Sequence, residues 1–200
     1  MDNTPFTADA SLCETQLESR EIYDGKIVHL YRDEVRLPNG KRAVREVIRH
    51  VGAVCVVPLT EQGEVVCVRQ YRYPHAQVLL EIPAGKLDNR REDRLSAALR
   101  ELREETGAVA ARLTPLGKLF TTPAFVDEVI DMYLAEELTF GQTQPDEDEF
   151  LDVVLIPLEE LVHMILDGQV PDAKTQAAVL RVWAMKQAGK GDGVCSSELL

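Results

Sequence analysis

The chain has 200 residues, 45% of them apolar, and a formal net charge of −12 at pH 7. This length suits one compact domain with a small additional unit. So negative a charge argues against broad nucleic-acid binding, because phosphate backbones attract basic surfaces. No apolar run reaches the roughly 18 residues of a membrane span, and the N-terminus has no signal-peptide pattern. We therefore expect a soluble, cytoplasmic protein without a membrane partner.

The first fifty residues predict a small antiparallel sheet. Residues 1–20 are expected to be a flexible N-terminus, and residues 21–37 alternate apolar and polar side chains around Asp24-Gly25. Leu37-Pro38-Asn39-Gly40 is typical of a hairpin turn and precedes a strand over 42–47. We thus expect residues 21–50 to form an N-terminal β-subdomain.

The remainder predicts a mixture of strands and helices. Strands are expected over 53–57, 65–70, 78–82, 113–120, 128–135 and 150–156, and closing helices over 158–166 and 172–187. Strands flanked by helices indicate an α+β sandwich over residues 51–188, followed by a flexible tail over 189–200.

The cysteines and histidines form no metal or redox motif. The four cysteines contain no CxxC pair or Cys/His cluster of the kind zinc requires. Cys55 and Cys67 lie in apolar runs, so we expect buried free thiols. We interpret the four histidines, His29, His50, His75 and His163, as structural or exposed.

Between these strands, residues 85–108 predict a helix with concentrated negative charge. Glu101, Glu104 and Glu105 stand at i, i+3 and i+4 and so share one helix face, where like charges repel unless a cation collects them. Hard divalent cations such as Mg²⁺ bind through carboxylates and substrate phosphates. Arg100 precedes Glu104 by four residues, as a helical salt bridge requires. The alternative is a solvated charged helix.

The same helix has a predicted C-terminal end and a predicted core side. Gly107 can adopt the left-handed conformation of a C-terminal cap. The side opposite the glutamates is expected to face the core through an apolar stripe. Its members are Leu95, Leu99 and Leu102.

This segment resembles the Nudix box, G-x5-E-x7-R-E-U-x-E-E-x-G-U, in which U is a bulky apolar residue. The match runs from Glu92 to Gly107. Two positions depart: six residues separate Gly85 from Glu92, and the small Ala108 takes the last apolar position. The resemblance implies a Nudix α/β/α sandwich with a mixed sheet, and hydrolysis of a nucleoside diphosphate linked to another group.

Segments outside the box resemble the ADP-ribose pyrophosphatase branch of the Nudix hydrolases. Pro123 stands sixteen positions after Gly107, in a loop, TTPAFVDE, that is similar to the loop of that branch. Similar segments also occur at 69–72, 81–87, 146–149 and 172–175. The resemblance covers roughly residues 20–187.

The resemblance implies a set of metal and catalytic residues. The metal, Mg²⁺ with Mn²⁺ as an alternative, would be bound by Glu101, Glu104, Glu105 and the backbone carbonyl of Ala84. Glu128 matches the glutamate that acts as base. Glu104 or Glu105 is the competing base, and Glu128 could instead begin a strand with its side chain in solvent.

Substrate recognition is assigned by family position to Arg45, Arg72, Glu81 and Pro123, although each could be an ordinary surface or sheet-edge residue. Glu92 is expected to pair with Arg100 and to hold the loop against the helix. The family also exchanges its N-terminal region between subunits, which implies a homodimer.

The predicted function is Mg²⁺-dependent hydrolysis of ADP-ribose to AMP and ribose 5-phosphate. One alternative is a Nudix hydrolase of another nucleotide sugar, such as GDP-mannose, or of an oxidised nucleotide. The other is a Nudix sensor that binds ADP-ribose or a nucleotide without cutting it. The sensor is disfavoured because Arg100 and the box glutamates are retained and no basic helix-turn-helix is present.

Overall fold

The computed structural model describes residues 11–144 and 150–191. The acidic run at 146–149 and Cys195 lie outside the described residues, as do parts of both predicted flexible ends. The chain divides into two units. The first contains the described residues up to His50 together with Thr122–Glu128, and the second contains Val51–Thr121 and the described residues from Val129 onward.

The first unit contains an antiparallel sheet of three strands in the order β1-β2-β3. These strands are β1 (Thr15–Asp24), β2 (His29–Arg36) and β3 (Arg42–Arg49). The predicted hairpin turn is confirmed, since the N–H of Gly40 donates to the carbonyl of Leu37 at 2.9 Å. Residues 15–20 belong to β1, whereas the sequence predicted a flexible segment there. Pairing with β2 orders them, as Thr15 lies opposite Arg36 in the register.

The second unit contains two sheets and three helices. Its elements are β4 (Ala53–Pro58), β5 (Glu64–Arg72), a 3-10 turn (Tyr73–His75), β6 (Gln77–Glu81), β7 (Ala84–Lys86), α1 (Arg94–Thr106), β8 (Ala108–Phe120), β9 (Val129–Phe140), β10 (Leu151–Pro157), α2 (Leu158–Leu166) and α3 (Ala173–Gly191). One sheet has the order β7-β4-β9-β8 and is mixed, because β4 and β9 are parallel. The other is antiparallel, in the order β10-β5-β6.

Alternate residues of β4 face two separate cores. Val54 and Val56 pack in one cluster with Leu102 of α1. Cys55 and Val57 pack in another cluster, which includes buried residues of α2 and α3. The mixed sheet therefore lies between two helical layers, which confirms the predicted α+β sandwich. Burial raises the pKa of both Cys55 and Cys67 to about 12, and both are free thiols as predicted.

The strand boundaries differ from the predictions where backbone pairing extends beyond the apolar pattern. Strand β8 already begins at Ala108 and β9 continues to Phe140, because the two strands pair along their full length. Strand β7 has no strand-like sequence pattern and was not predicted. Its residues are extended because Ala84 to Lys86 pair with β4.

Helix α1 has the predicted cap, and Leu102 of the predicted core stripe is fully buried. Gly107, at φ +70°, caps it by donating its N–H to the carbonyl of Arg103 at 2.8 Å. The predicted core position of Leu95 was wrong, since its side chain is 43% exposed. The buried face carries small Ala97 and Ala98, which let the helix backbone approach the sheet closely. No helix among the described residues is long and apolar enough to cross a membrane.

Substitution of Gly107 by alanine should destabilise the fold for two reasons. A left-handed φ costs about 1–3 kcal/mol for a residue with a side chain. In addition, the new Cβ would lie 2.5 Å from the carbonyl oxygen of Gly141. Gly168→Ala is the matched control, because Gly168 has φ +75° and an added Cβ there meets nothing within 4 Å. Denaturant unfolding should show a larger loss of stability for Gly107→Ala. Equal losses would contradict the steric contribution.

Candidate active site

Arg100 of α1 gathers three glutamate side chains. Its Nη1 lies 2.7 Å from an oxygen of Glu101 and 3.2 Å from an oxygen of Glu104. Its Nη2 lies 3.2 Å from an oxygen of Glu92, which confirms the predicted Glu92–Arg100 pair. Burial opposes the charge of Arg100, but the carboxylates outweigh it and raise the arginine pKa. The guanidinium thus already offsets much of the like-charge repulsion, so repulsion alone does not require a metal ion.

The loop before α1 accommodates the additional residue of the box. The N–H of Glu92 donates to the carbonyl of Asn89 at 3.1 Å, and the side chain of Asn89 accepts the N–H of Arg91 at 3.0 Å. The side chain of Glu92 also accepts the N–H of Asp88 at 2.6 Å. These bonds define a compact turn, in which Glu92 reaches Arg100.

Gly85 is a steric requirement of the site. A Cβ built on Gly85 would lie 1.9 Å from Cδ of Glu101 and about as close to both of its carboxylate oxygens. The Glu101 residue itself is only 8% exposed. Its carboxylate therefore packs directly on the backbone of β7, in space that any side chain at position 85 would occupy.

Glu105 reaches the neighbouring residue of the same strand. Its side chain accepts the N–H of Ala84 at 3.3 Å and is 4% exposed as a residue. Two carboxylates one helical turn apart thus lie buried against Ala84 and Gly85, which offers the oxygen donors that hard divalent cations prefer. Across 11–144 and 150–191, no three His, Cys, Asp or Glu side chains are already arranged around a common metal position. Glu104 instead lies half-buried at Arg100.

Arg72 and Glu81, both predicted to bind substrate, pair with each other. Nε and Nη2 of Arg72 each lie 2.7 Å from a different oxygen of Glu81. Lys174 also pairs with Glu81, and its Nζ lies 3.0 Å from Asp172. Burial opposes ionisation of Glu81, but the Arg72 hydrogen bonds and the Lys174 charge outweigh it and lower the glutamate pKa. Sequence reasoning did not assign Lys174 a role, although the resemblance included its segment.

Glu128 belongs to the first unit and contacts a histidine there. Nδ1 of His50 lies 3.4 Å from an oxygen of Glu128, and the backbone N–H of His50 donates to Asp127 at 2.5 Å. The N–H of Asp127 in turn donates to the carbonyl of Ile48, in β3, at 3.1 Å. Strand β9 begins one residue after Glu128. The His50 contact was missed because no sequence pattern links residues so far apart in the chain.

The other two predicted site residues of the first unit have different surroundings. Arg45 pairs with Glu14, with Nε at 3.0 Å from a carboxylate oxygen. Pro123 is exposed. Within each unit, the structure therefore brings together the box residues, the Arg72–Glu81–Lys174 group and the Glu128–His50 pair.

The mixed sheet lies between two helical layers, and Glu101 of α1 packs on Gly85 of β7. This arrangement is that of a Nudix-type hydrolase. Residues 49–179 match the NUDIX domain family, and residues 14–48 match the nucleoside diphosphate sugar hydrolase N-terminal domain. The chain belongs to the Nudix family. Nudix hydrolases generally use divalent metal ions, in agreement with the buried oxygen donors described above.

Individual proteins are similar to this chain over most of its length. The chain is 42% identical to the ADP-ribose pyrophosphatase of Bacillus subtilis (strain 168), over 84% of this chain and 92% of that protein. It is 40% identical to the methanol dehydrogenase activator of Bacillus methanolicus, over 83% and 90% respectively. A solved structure of an ADP compounds hydrolase is 27% identical, with a TM-score of 0.77, and is matched over 90% of this chain and 96% of that one. These matches confirm the resemblance seen in the sequence.

Gly85→Ala should weaken metal binding without unfolding the protein. The new methyl group would displace the Glu101 carboxylate, and disturbing the support of a metal ligand typically costs about 10–100-fold in affinity. Gly189→Ala is the control, because an added Cβ there meets nothing within 4 Å. Mn²⁺ affinity can be measured by electron paramagnetic resonance, with circular dichroism as a check on folding. Wild-type affinity in Gly85→Ala would show that the Glu101 carboxylate does not contribute to the site.

Proposed function

We propose that this chain hydrolyses the pyrophosphate bond of ADP-ribose to AMP and ribose 5-phosphate, with Mg²⁺ as the metal ion and Mn²⁺ as an alternative. The observation that carries the proposal is the packing of Glu101 and Glu105 against Ala84 and Gly85. It occurs in a chain 42% identical to a named ADP-ribose pyrophosphatase. Retention of Arg100 and every box glutamate supports an enzyme over a sensor.

We assign the metal ion to Glu101, Glu104, Glu105 and the backbone carbonyl of Ala84. A divalent ion at such a site neutralises phosphate charge and lowers the pKa of bound water. Arg100 contributes by fixing the orientation of Glu101, which packs on Gly85. Glu104 also pairs with Arg100, so binding of a cation by Glu104 requires its carboxylate to reorient. Glu92 and Gly107 are structural: the first orients Arg100, and the second ends α1.

We assign the general base to Glu128, which takes a proton from the attacking water. Two observations support this assignment: Glu128 lies in the TTPAFVDE loop, and its carboxylate contacts the imidazole of His50. The contact with His50 restricts the rotamers of Glu128, which is useful for a base that must be oriented before it acts. Glu104 and Glu105 are the alternative bases.

Arg72 is the better supported of the two proposed phosphate-binding arginines. Arg72 donates two hydrogen bonds to Glu81, from Nε and Nη2, which fix the plane of its guanidinium, and a planar guanidinium of fixed orientation suits phosphate. Glu81 therefore orients Arg72, in addition to the direct substrate contact that the sequence predicts for it. Arg45 and Pro123 remain proposed substrate contacts.

We further propose a cytoplasmic homodimer with a domain boundary near residue 50. Support for the dimer comes from the small sheet β1-β2-β3, which has two edge strands and exposes Ile22 and Tyr23. Buried, unpaired Cys55 and Cys67 suit a reducing compartment.

A product assay tests the proposed substrate. The purified protein would be incubated with Mg²⁺ and ADP-ribose, GDP-mannose, NADH, a diadenosine polyphosphate or 8-oxo-dGTP. We expect ADP-ribose to be turned over fastest, with AMP and ribose 5-phosphate as products. Faster hydrolysis of another compound would contradict the substrate, and ADP-ribose binding without turnover would favour the sensor.

Glu128→Gln should lower kcat by about 10²–10⁴-fold, the range expected when a general base is lost, and should leave Mn²⁺ binding unchanged. The control is Glu137→Gln, which neutralises an exposed glutamate paired with Arg112. Steady-state kinetics and Mn²⁺ titration would be measured on both variants. A near-normal kcat in Glu128→Gln would show that Glu128 is not the general base and would favour Glu104 or Glu105 in that role.

A further inference from the structure

The segment from Glu81 to Gly85 is held by a separate contact at every residue. The side chain of Glu81 pairs with Arg72 and Lys174, and the N–H of Ile82 donates to the hydroxyl of Thr175 at 3.0 Å. The remaining contacts come from the sheet and from α1: the carbonyl of Pro83 accepts the N–H of Val56 at 2.9 Å, Ala84 donates to Glu105, and Gly85 lies beneath Glu101.

Two of these contacts originate at the start of α3. Asp172 precedes this helix and accepts both the N–H of Thr175, at 2.9 Å, and its hydroxyl, at 2.6 Å. Because the hydroxyl hydrogen points to Asp172, the oxygen lone pairs are available to the N–H of Ile82. Thr175 is fully buried. Its hydroxyl therefore links the N-terminal cap of α3 to the segment that contains Ala84.

We propose that Thr175 is a positioning residue for the metal site, acting through the backbone from Ile82 to the carbonyl of Ala84. The inference rests on the proposed function, which assigns that carbonyl to the metal. It extends the site to a helix that contributes no box residue, and it gives the cap at Asp172 a role in metal binding.

The physical reason is that a backbone carbonyl cannot be re-aimed by a change of rotamer. A carboxylate ligand can adjust through its side-chain torsions, whereas the direction of the Ala84 carbonyl follows from the path of residues 82–85. Loss of the Thr175 hydroxyl would leave the N–H of Ile82 without this partner. A buried N–H without a partner is unfavourable, so the backbone would shift to recover one.

Thr175→Val and Thr175→Ser test the inference directly. Valine keeps the shape and removes the hydroxyl, whereas serine keeps the hydroxyl. The matched control is Thr60→Val, because the Thr60 hydroxyl also accepts a backbone N–H, that of Glu64, at 3.1 Å in the same unit. Mn²⁺ affinity would be measured by electron paramagnetic resonance, and thermal stability would be recorded alongside it.

We expect about 10–100-fold weaker Mn²⁺ binding in Thr175→Val, the range for loss of a residue that supports a metal ligand. Thr175→Ser should restore affinity, and Thr60→Val should lose stability with unchanged affinity. Equal affinity in Thr175→Val and wild type would overturn the inference alone. Absence of Mn²⁺ binding in the wild type would overturn the proposed function together with it.

A second measurement needs no variant. If the Thr175–Ile82 bond favours metal binding, metal binding must favour that bond to the same extent. Hydrogen exchange of the Ile82 amide in the wild-type protein should therefore slow on addition of Mg²⁺, relative to the Glu64 amide. An unchanged ratio of the two exchange rates would overturn the coupling even if Thr175→Val fails to fold.

Discussion

The close packing of Glu101 on Gly85 is the constraint on which the site depends. A buried carboxylate is unfavourable unless it is paired and hydrogen-bonded. Arg100 supplies that pairing, and β7 supplies a glycine over which the carboxylate fits. Helix α1 must then lie close to the sheet, which the small side chains of Ala97 and Ala98 permit. Ala97, Ala98, Gly85 and Arg100 thus all contribute to the packing of Glu101 on β7.

The local part of this arrangement could be predicted from the sequence. The C-terminal end of α1, the Glu92–Arg100 pair and the hairpin turn at Gly40 follow from spacing within a few residues, and the structure contains all three. Leu95 was misassigned because helical periodicity identifies an apolar stripe without showing which face the sheet covers. In this helix, the covered face contains Leu102 as predicted, together with two alanines and two glutamates.

The long-range contacts could not be predicted in the same way. His50 and Glu128 meet because residues 122–128 attach to the end of β3, through hydrogen bonds that leave no compositional signal. Strand β7 exists only through its pairing with β4. Glu81 is predicted to bind the substrate, but nothing local in the sequence indicates that Arg72 and Lys174 pair with it. Contacts between residues far apart in the sequence determine these three features, and no local sequence pattern indicates them.

The charge distribution explains why positioning matters in this chain. A net charge of −12 disfavours an anionic substrate at long range, so binding must depend on local cations. Arg72 is oriented by Glu81, Glu101 is oriented by Arg100, and Glu105 accepts the N–H of Ala84. Each charged group proposed for phosphate or metal recognition in the second unit is therefore held by a specific partner, which reduces the reorganisation that binding requires.

Anomalous diffraction from crystals grown with Mn²⁺ would test the central claim most directly. A metal peak bound by Glu101, Glu105 and the carbonyl of Ala84, with Glu104 turned from Arg100 to the ion, is the predicted result, because Glu101 and Glu105 already pack on β7. A metal peak elsewhere, with the carboxylates of Glu101 and Glu105 free of any ion at saturating Mn²⁺, would contradict it.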